Sequence, residues 1–189
     1  MVKSIKIKIV ETHGEILQMI NRPIGTLVNF DWHAGYPVYP DVSLDIEQYN
    51  NQADPIWYEN NWAVILANKS FIKKYIWVFP HTYSKMAIKK FDNKNGGCEV
   101  YNIRLFDGMK ISYRFVIIDM DFFGCKSPMK WSPDDRNKLL KNVLNYLNAN
   151  DDMMLIISKS KSYANYDVEE FLQEILTEVS YIAEIEEIQ

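Results

Sequence analysis

Cysteine is almost missing from this chain, with Cys98 and Cys125 the only two in 189 residues. Two thiols so far apart exclude a cysteine-built zinc site and a disulfide framework, and as buried thiols they suit a reducing cytosol. Excess positive charge is missing too: the formal net charge is -4, which argues against a surface that tracks a nucleic-acid backbone. The N-terminal "MVKSIKIKIV" alternates charge with isoleucine, so neither a signal peptide nor a membrane span is expected there, and the expected compartment is the cytoplasm. Internal repeats and flexible interdomain linkers are also lacking. A single domain over residues 1–189 is therefore expected, long enough to bury a core without staples.

What is present is an ordinary globular composition, 48% hydrophobic and 24% charged, with 14% aromatic residues that supply large, flat packing or binding surfaces. "SIKIKIV" alternates as a strand with one wet face, or an edge strand, does. A short helix, "EILQMIN", follows and ends before Pro23. "GTLVNF" then reads as a strand buried on both faces, as in a parallel sheet. Residues 34–55 carry Pro37, Pro40 and Pro55 among many polar and tyrosine residues, and a connection this long inside a compact domain is usually functional.

Further along, "PIWYENNWAVILANKSFI" has helical spacing behind Pro55, and "YIWVFP" is a third apolar strand followed at once by His81. Residues 84–97 read as a surface excursion ending in Gly96-Gly97. "CEVYNIRLF", a turn at Asp107-Gly108 and "KISYRF" read as a hairpin, and "FVII" is the most core-like strand. Ser132-Pro133-Asp134-Asp135 opens a helix expected to run to about Ala149, with Leu139, Leu140, Val143, Leu144 and Leu147 on its buried stripe. "MMLIIS" is another buried strand, and "DVEEFLQEILTEVSYIAEI" a final amphipathic helix. Strands alternating with helices predict an α/β three-layer sandwich with a mainly parallel sheet.

The chemistry gathers where the strands end. Thr12-His13 follows the first strand, Asp31 and His33 the second, His81 the third, and Asp119 and Asp121 close "FVII". In open parallel sheets these ends share one edge, where ligands bind. Asp31 and His33, two apart, leave on the same side, as do Asp119 and Asp121. Read singly, Asp-x-His also fits a capping acid beside a satisfied imidazole, and Asp-x-Asp fits turn acids. Read together they point to a divalent cation, because two neighbouring buried carboxylates without a counter-ion force one to protonate. Carboxylate with imidazole suits Mn, Fe or Zn rather than calcium.

At these residues the sequence resembles the arginase/deacetylase superfamily. "THGEIL", "FDWHAG" and "IDMDFF" match in order its early His, its Asp-x-His-x-Asp and its Asp-x-Asp. "WYENNWAVILANKSFIKKYIWVFP" and "DMDFF" are similar to a smaller branch that includes the peptide arginases of ribosomal-peptide maturation. The resemblance implies that Asp31 and Asp119 bridge two manganese ions, that His13 binds one, and that His33 and Asp121 bind the other. One position departs: Gly35 stands where the third acid is expected. That leaves open a single metal, as in the single-zinc deacetylase relatives, or replacement of the acid by Asp41.

With a metal-activated water in this setting, His81 is the candidate proton shuttle to a leaving amine. Glu59 is the candidate clamp on a guanidinium. Trp57, Tyr58 and Trp62 are candidate pocket walls, and Ser158 and Ser160 candidate substrate contacts. Each also has an ordinary structural reading: a loop histidine, a helix-dipole acid, core aromatics and loop-capping hydroxyls. The expected function is hydrolysis of a C–N bond, most concretely peptidyl arginine to ornithine plus urea. The expected partner is a peptide or a small guanidino or amide substrate, with no nucleic acid and no membrane. The alternatives are a single-zinc deacetylase-like amidohydrolase and a degenerate domain that binds metal or peptide without turnover.

Overall fold

A computed structural model describes residues 4–33, 62–63, 65–67, 69–80, 91–93, 96–102, 115–126, 133–150 and 153–187. The chain begins with β1 (Ser4–Val10), α1 (His13–Met19) and β2 (Gly25–Phe30). Helical residues 62–63 and 65–67 precede β3 (Ile72–Phe79), a short β4 (Phe91–Asn93) and β5 (Gly96–Asn102). Next, β6 (Phe115–Asp119) passes directly into a 3-10 turn (Met120–Phe123). Then come α2 (Pro133–Ala149), β7 (Met153–Ser158), α3 (Val168–Ser180) and β8 (Glu184–Glu187).

These strands make one eight-stranded sheet in the order β4-β5-β3-β2-β6-β7-β1-β8. Every neighbouring pair is parallel except β4 with β5. Strand alternation splits the apolar side chains between two cores. Ile76, Val78, Val116 and Ile118 face the core to which α2 and α3 contribute Leu140, Val143, Phe171 and Ile175. Tyr75, Trp77 and Ile117 face the other, closed by Ile16 of α1 and by Trp62 and Leu66. The molecule is thus an α/β fold with a mainly parallel sheet covered on both faces, as the alternation of strands and helices predicts. Among the described residues no helix is long and apolar enough to cross a membrane.

Three expectations need correction. The final helix stops at Ser180, and Glu184–Glu187 instead forms β8, pairing parallel with β1 at the sheet edge. This moves β1 inside, leaves Lys6 as its one exposed residue, and rules out the edge-strand alternative for it. Within the expected surface excursion, Phe91–Asn93 pairs antiparallel with β5. The helical stretch ends earlier than its spacing predicts. Ser70 takes a left-handed backbone (φ 58°), its N–H donates to the Ala67 carbonyl, and the Phe71 N–H donates to that of Leu66, both at 2.9 Å. This Schellman closure frees the chain to enter β3 at Ile72. Residues 103–114, with the Asp107-Gly108 turn, and Ser132 lie outside the described residues.

The strand order sets up the site. From β2 the chain moves outward to β3, whereas β6 returns to the other side of β2. Such a reversal leaves a crevice at the carboxyl ends of the two strands. Phe30 registers with Ile118, so the next residues, Asp31 and Asp119, meet across that crevice. Asp119 in turn registers with Ser158, and Ser158 with Val10, which brings in the end of β1 and, three residues on, His13.

Candidate metal centre

Each charged side chain is delivered by a local device. His13 is the first residue of α1, whose start is fixed by the Glu15 carboxylate accepting the N–H groups of Thr12 and Glu11, both at 3.2 Å. Asp31 Oδ1 accepts the His33 N–H at 2.6 Å, folding the chain back so that His33 returns toward the crevice. Asp119 caps the 3-10 turn, its Oδ1 accepting the Asp121 N–H at 2.9 Å. The expectation that Asp119 and Asp121 share a strand face is corrected here. Asp121 sits in the 3-10 turn, and the turn rather than β-alternation carries it inward.

Five sequence-predicted residues come together. His13 Nε2 lies 2.8 Å from Asp119 Oδ2 and 3.5 Å from Asp31 Oδ2. His33 Nδ1 lies 2.7 Å from Asp121 Oδ2 and 3.9 Å from Asp31 Oδ1. The two oxygens of Asp31 therefore face the two imidazoles. The three carboxylates and His13 are buried, while the His33 side chain is 46% exposed and forms the open side.

Neutral neighbours hold these groups in place. Asn29 Nδ2 donates to Asp31 Oδ2 at 3.0 Å and to the Tyr75 hydroxyl at 2.8 Å. The Trp32 N–H donates to Asp121 Oδ1 at 3.2 Å, and Trp77 Nε1 to the Asp31 carbonyl at 2.8 Å. Ser160 Oγ donates to Asp119 Oδ2 at 2.9 Å and contacts Ser158 Oγ at 3.0 Å. Trp62, fully buried, stacks on His13 with ring centroids 5.4 Å apart and planes 25° from parallel. Trp62 therefore positions an imidazole, and Ser160 positions a carboxylate.

The electrostatics are strained in the way a cation relieves. Burial, then the charges of Asp121 and Asp119, push Asp31 well above the usual carboxylate range. Burial and Asp119 likewise raise Asp121. For His13, burial opposes the charged form, but Asp119 and Asp31 outweigh it and lift the imidazole to about 10. Asp121, close to Nδ1, raises His33. Even with both imidazoles protonated, three buried carboxylates outnumber the positive charges, so without a cation one of them must take up a proton.

Hydrogen bonding does not resolve the strain. His13 Nε2 and Asp121 Oδ2 are buried and have no hydrogen-bond partner among the described residues, although each has an oppositely charged atom within 2.8 Å. The donor set, imidazole nitrogen with carboxylate oxygen, fits Mn, Fe or Zn. Two trios have ligand atoms within 4.8 Å of one another: His13, Asp31 and Asp119, and His33, Asp121 and Cys125.

Cys125 and Asn29 are the residues that sequence reasoning misses. Cys125 comes four residues after Asp121, a spacing that brings it near only because a 3-10 turn intervenes. Asn29 is hidden inside an apolar run, and only its complete burial marks it. His81, Glu59, Trp57, Tyr58, Gly35 and Asp41 lie outside the described residues. No protein-family model matches this sequence, and no curated protein matches it.

Proposed function

We propose that this chain is a metal-dependent hydrolase of a C–N bond with an arginase/deacetylase-like architecture, converting arginine side chains of a peptide to ornithine and urea. The observation that carries the reading is the convergence of buried His13, Asp31, Asp119 and Asp121 with half-exposed His33 at the switch point of a parallel sheet, where three carboxylates share two imidazoles. In this reading His13, Asp31 and Asp119 hold one divalent position and His33 and Asp121 the adjoining one, with Asp31 turned toward both. Manganese is the proposed ion, one or two per chain, with zinc the alternative. The bound cation supplies Lewis acidity that makes water a nucleophile near neutral pH.

The chain's own groups do the rest. Asn29 and Ser160 fix the carboxylates so that they need no reorientation during the reaction. His33, half exposed, marks the side by which substrate enters. Glu59 would clamp the guanidinium, and His81 would deliver a proton to the departing amine as water adds to the guanidinium carbon Cζ and the Cζ–Nε bond breaks, leaving the amine on the ornithine side chain. Water is consumed and urea released, so the step balances without any other reactant. A peptide rather than a free amino acid is proposed on the length of segment 34–55 in the sequence alone, since that segment lies outside the described residues.

A second reading, a single-zinc amidohydrolase, is favoured by one feature: Gly35 stands where a two-metal site needs its third acid. Metal analysis of protein purified without chelator, followed by urea release from an arginine peptide and acetate release from an acetyl-lysine peptide, separates the two. Retained manganese with urea release supports the arginase reading, and retained zinc with acetate release supports the other. A protein that retains and binds no divalent metal sinks both.

A further inference from the structure

The trio on the open side contains a sulfur that neither reading uses. Cys125 is a buried thiol, 6% exposed, and a ligand atom from each of His33, Asp121 and Cys125 lies within 4.8 Å of the other two. A cysteine near a histidine means little alone. The second observation is Asp121, fully buried, whose Oδ2 lies 2.7 Å from His33 Nδ1 without the alignment of a regular hydrogen bond.

The backbone also fixes Cys125 here. It bridges antiparallel to Ala164, the Lys126 N–H donates to the Tyr163 carbonyl at 2.7 Å, and the Asn165 N–H donates to that of Gly124 at 3.0 Å. The segment bearing the thiol is thus clamped against the loop after β7. Tyr163 of that loop packs edge-on against His33 with centroids 5.5 Å apart, so thiol and imidazole are held by one local framework.

We propose that Cys125 is a thiolate ligand for a cation held by His33 and Asp121, so that the outer position is a nitrogen, oxygen and sulfur site that takes zinc in preference to manganese. This rests on the metal reading above and gives it a chemical identity. Nitrogen and oxygen alone accommodate manganese, whereas a thiolate is soft and shifts selection toward zinc and its chemical neighbours. The inner trio of His13, Asp31 and Asp119 lacks sulfur and keeps the harder preference. On binding, the thiol proton passes to solvent and the sulfur lone pair goes to the metal.

Cobalt(II) is the probe, because cobalt bonded to thiolate gives a near-ultraviolet charge-transfer band that cobalt on nitrogen and oxygen lacks. The full chain, stripped of metal, is titrated with Co2+ as wild type, Cys98→Ser and Cys125→Ser. The expected result is the sulfur band in wild type and Cys98→Ser. In Cys125→Ser the band is lost while the visible cobalt bands remain, and zinc affinity falls by more than roughly 100-fold, beyond what losing an outer-sphere partner costs. Should Cys125→Ser fail to fold, Cys98→Ser decides alone, since its one remaining cysteine is Cys125. Visible bands without the sulfur band in Cys98→Ser overturn the cysteine ligand and leave the hydrolase reading standing. Absence of any cobalt spectrum overturns both.

Discussion

Asp31, just past the end of β2, and Asp119, the last residue of β6, each lie one step beyond the registered pair Phe30 and Ile118, and both turn a carboxylate oxygen toward His13 Nε2, at 3.5 and 2.8 Å. Two acids in that relation, each fully or almost fully buried, repel unless something positive lies between them. The His13 imidazolium serves while the site is metal-free, and a divalent ion serves better.

Asp119→Asn tests that relation. Asparagine keeps the shape and one acceptor oxygen for the Asp121 N–H, so the fold should persist, but the anionic ligand is gone. Manganese or zinc at about 100 times its Kd should add about 2.7 kcal/mol to the wild type and nothing measurable to the variant. Thermal unfolding with and without metal, beside direct metal analysis, gives the answer. Full occupancy in the variant would refute the assignment.

The site was legible in part because its elements are punctuated by chemistry. An apolar run ending in Asp-x-His or Asp-x-Asp announces both a strand and what lies at its end, and parallel topology then gathers the ends. The remainder depends on tertiary pairing. Glu184–Glu187 is built from residues that suit a helix, and only the free edge of β1 makes it a strand. Phe91–Asn93 is too short to carry a period. Asp121 and Cys125 are set by a 3-10 turn, which shifts positions off the alternation that a strand reading assumes.

The pH dependence of the metal-free protein should run downward. His13 binds its proton more tightly folded (about 10) than unfolded (6.5), so its contribution is complete below pH 6.5 and is lost as pH rises toward 10. Asp31 and Asp121, with raised values, act in the same direction from the ordinary carboxylate range upward. A single such proton contributes a slope of at most about 1.4 kcal/mol per pH unit. Added metal should reverse the trend, since deprotonated ligands bind better. Denaturant midpoints from pH 6 to 10, with and without Zn2+, report the sign. A flat metal-free profile would mean that His13 and its two acids do not interact.

Ser160→Ala removes the hydroxyl that donates to Asp119 Oδ2 and contacts Ser158. The carboxylate keeps its other oxygen on the Asp121 N–H, so it survives with one restraint fewer. Metal affinity should fall about 10- to 100-fold, while stability changes by only about 1 kcal/mol. Calorimetric titration separates the two quantities, and unchanged affinity would show that Ser160 is a loop cap alone.

Gly124→Ala probes how the segment bearing Cys125 is held. Gly124 lies where an added Cβ would press into the Asn165 amide and approach Tyr166 Cδ1 to 3.2 Å. The amide is the free end of a short side chain and can swing aside, but the Tyr166 ring cannot follow easily. Its hydroxyl donates to the Met120 carbonyl and its ring packs on Phe171. The expected cost is therefore about 1–2 kcal/mol, within the usual range for overpacking. The displacement also bears on the 124–165 and 126–163 backbone bonds, so the outer position should lose metal before the inner one does. A urea midpoint lowered in proportion, together with a weakened cobalt–sulfur band and unchanged binding at the His13 position, is the expected pattern. Equal loss at both positions would mean that the two halves respond as one rigid unit.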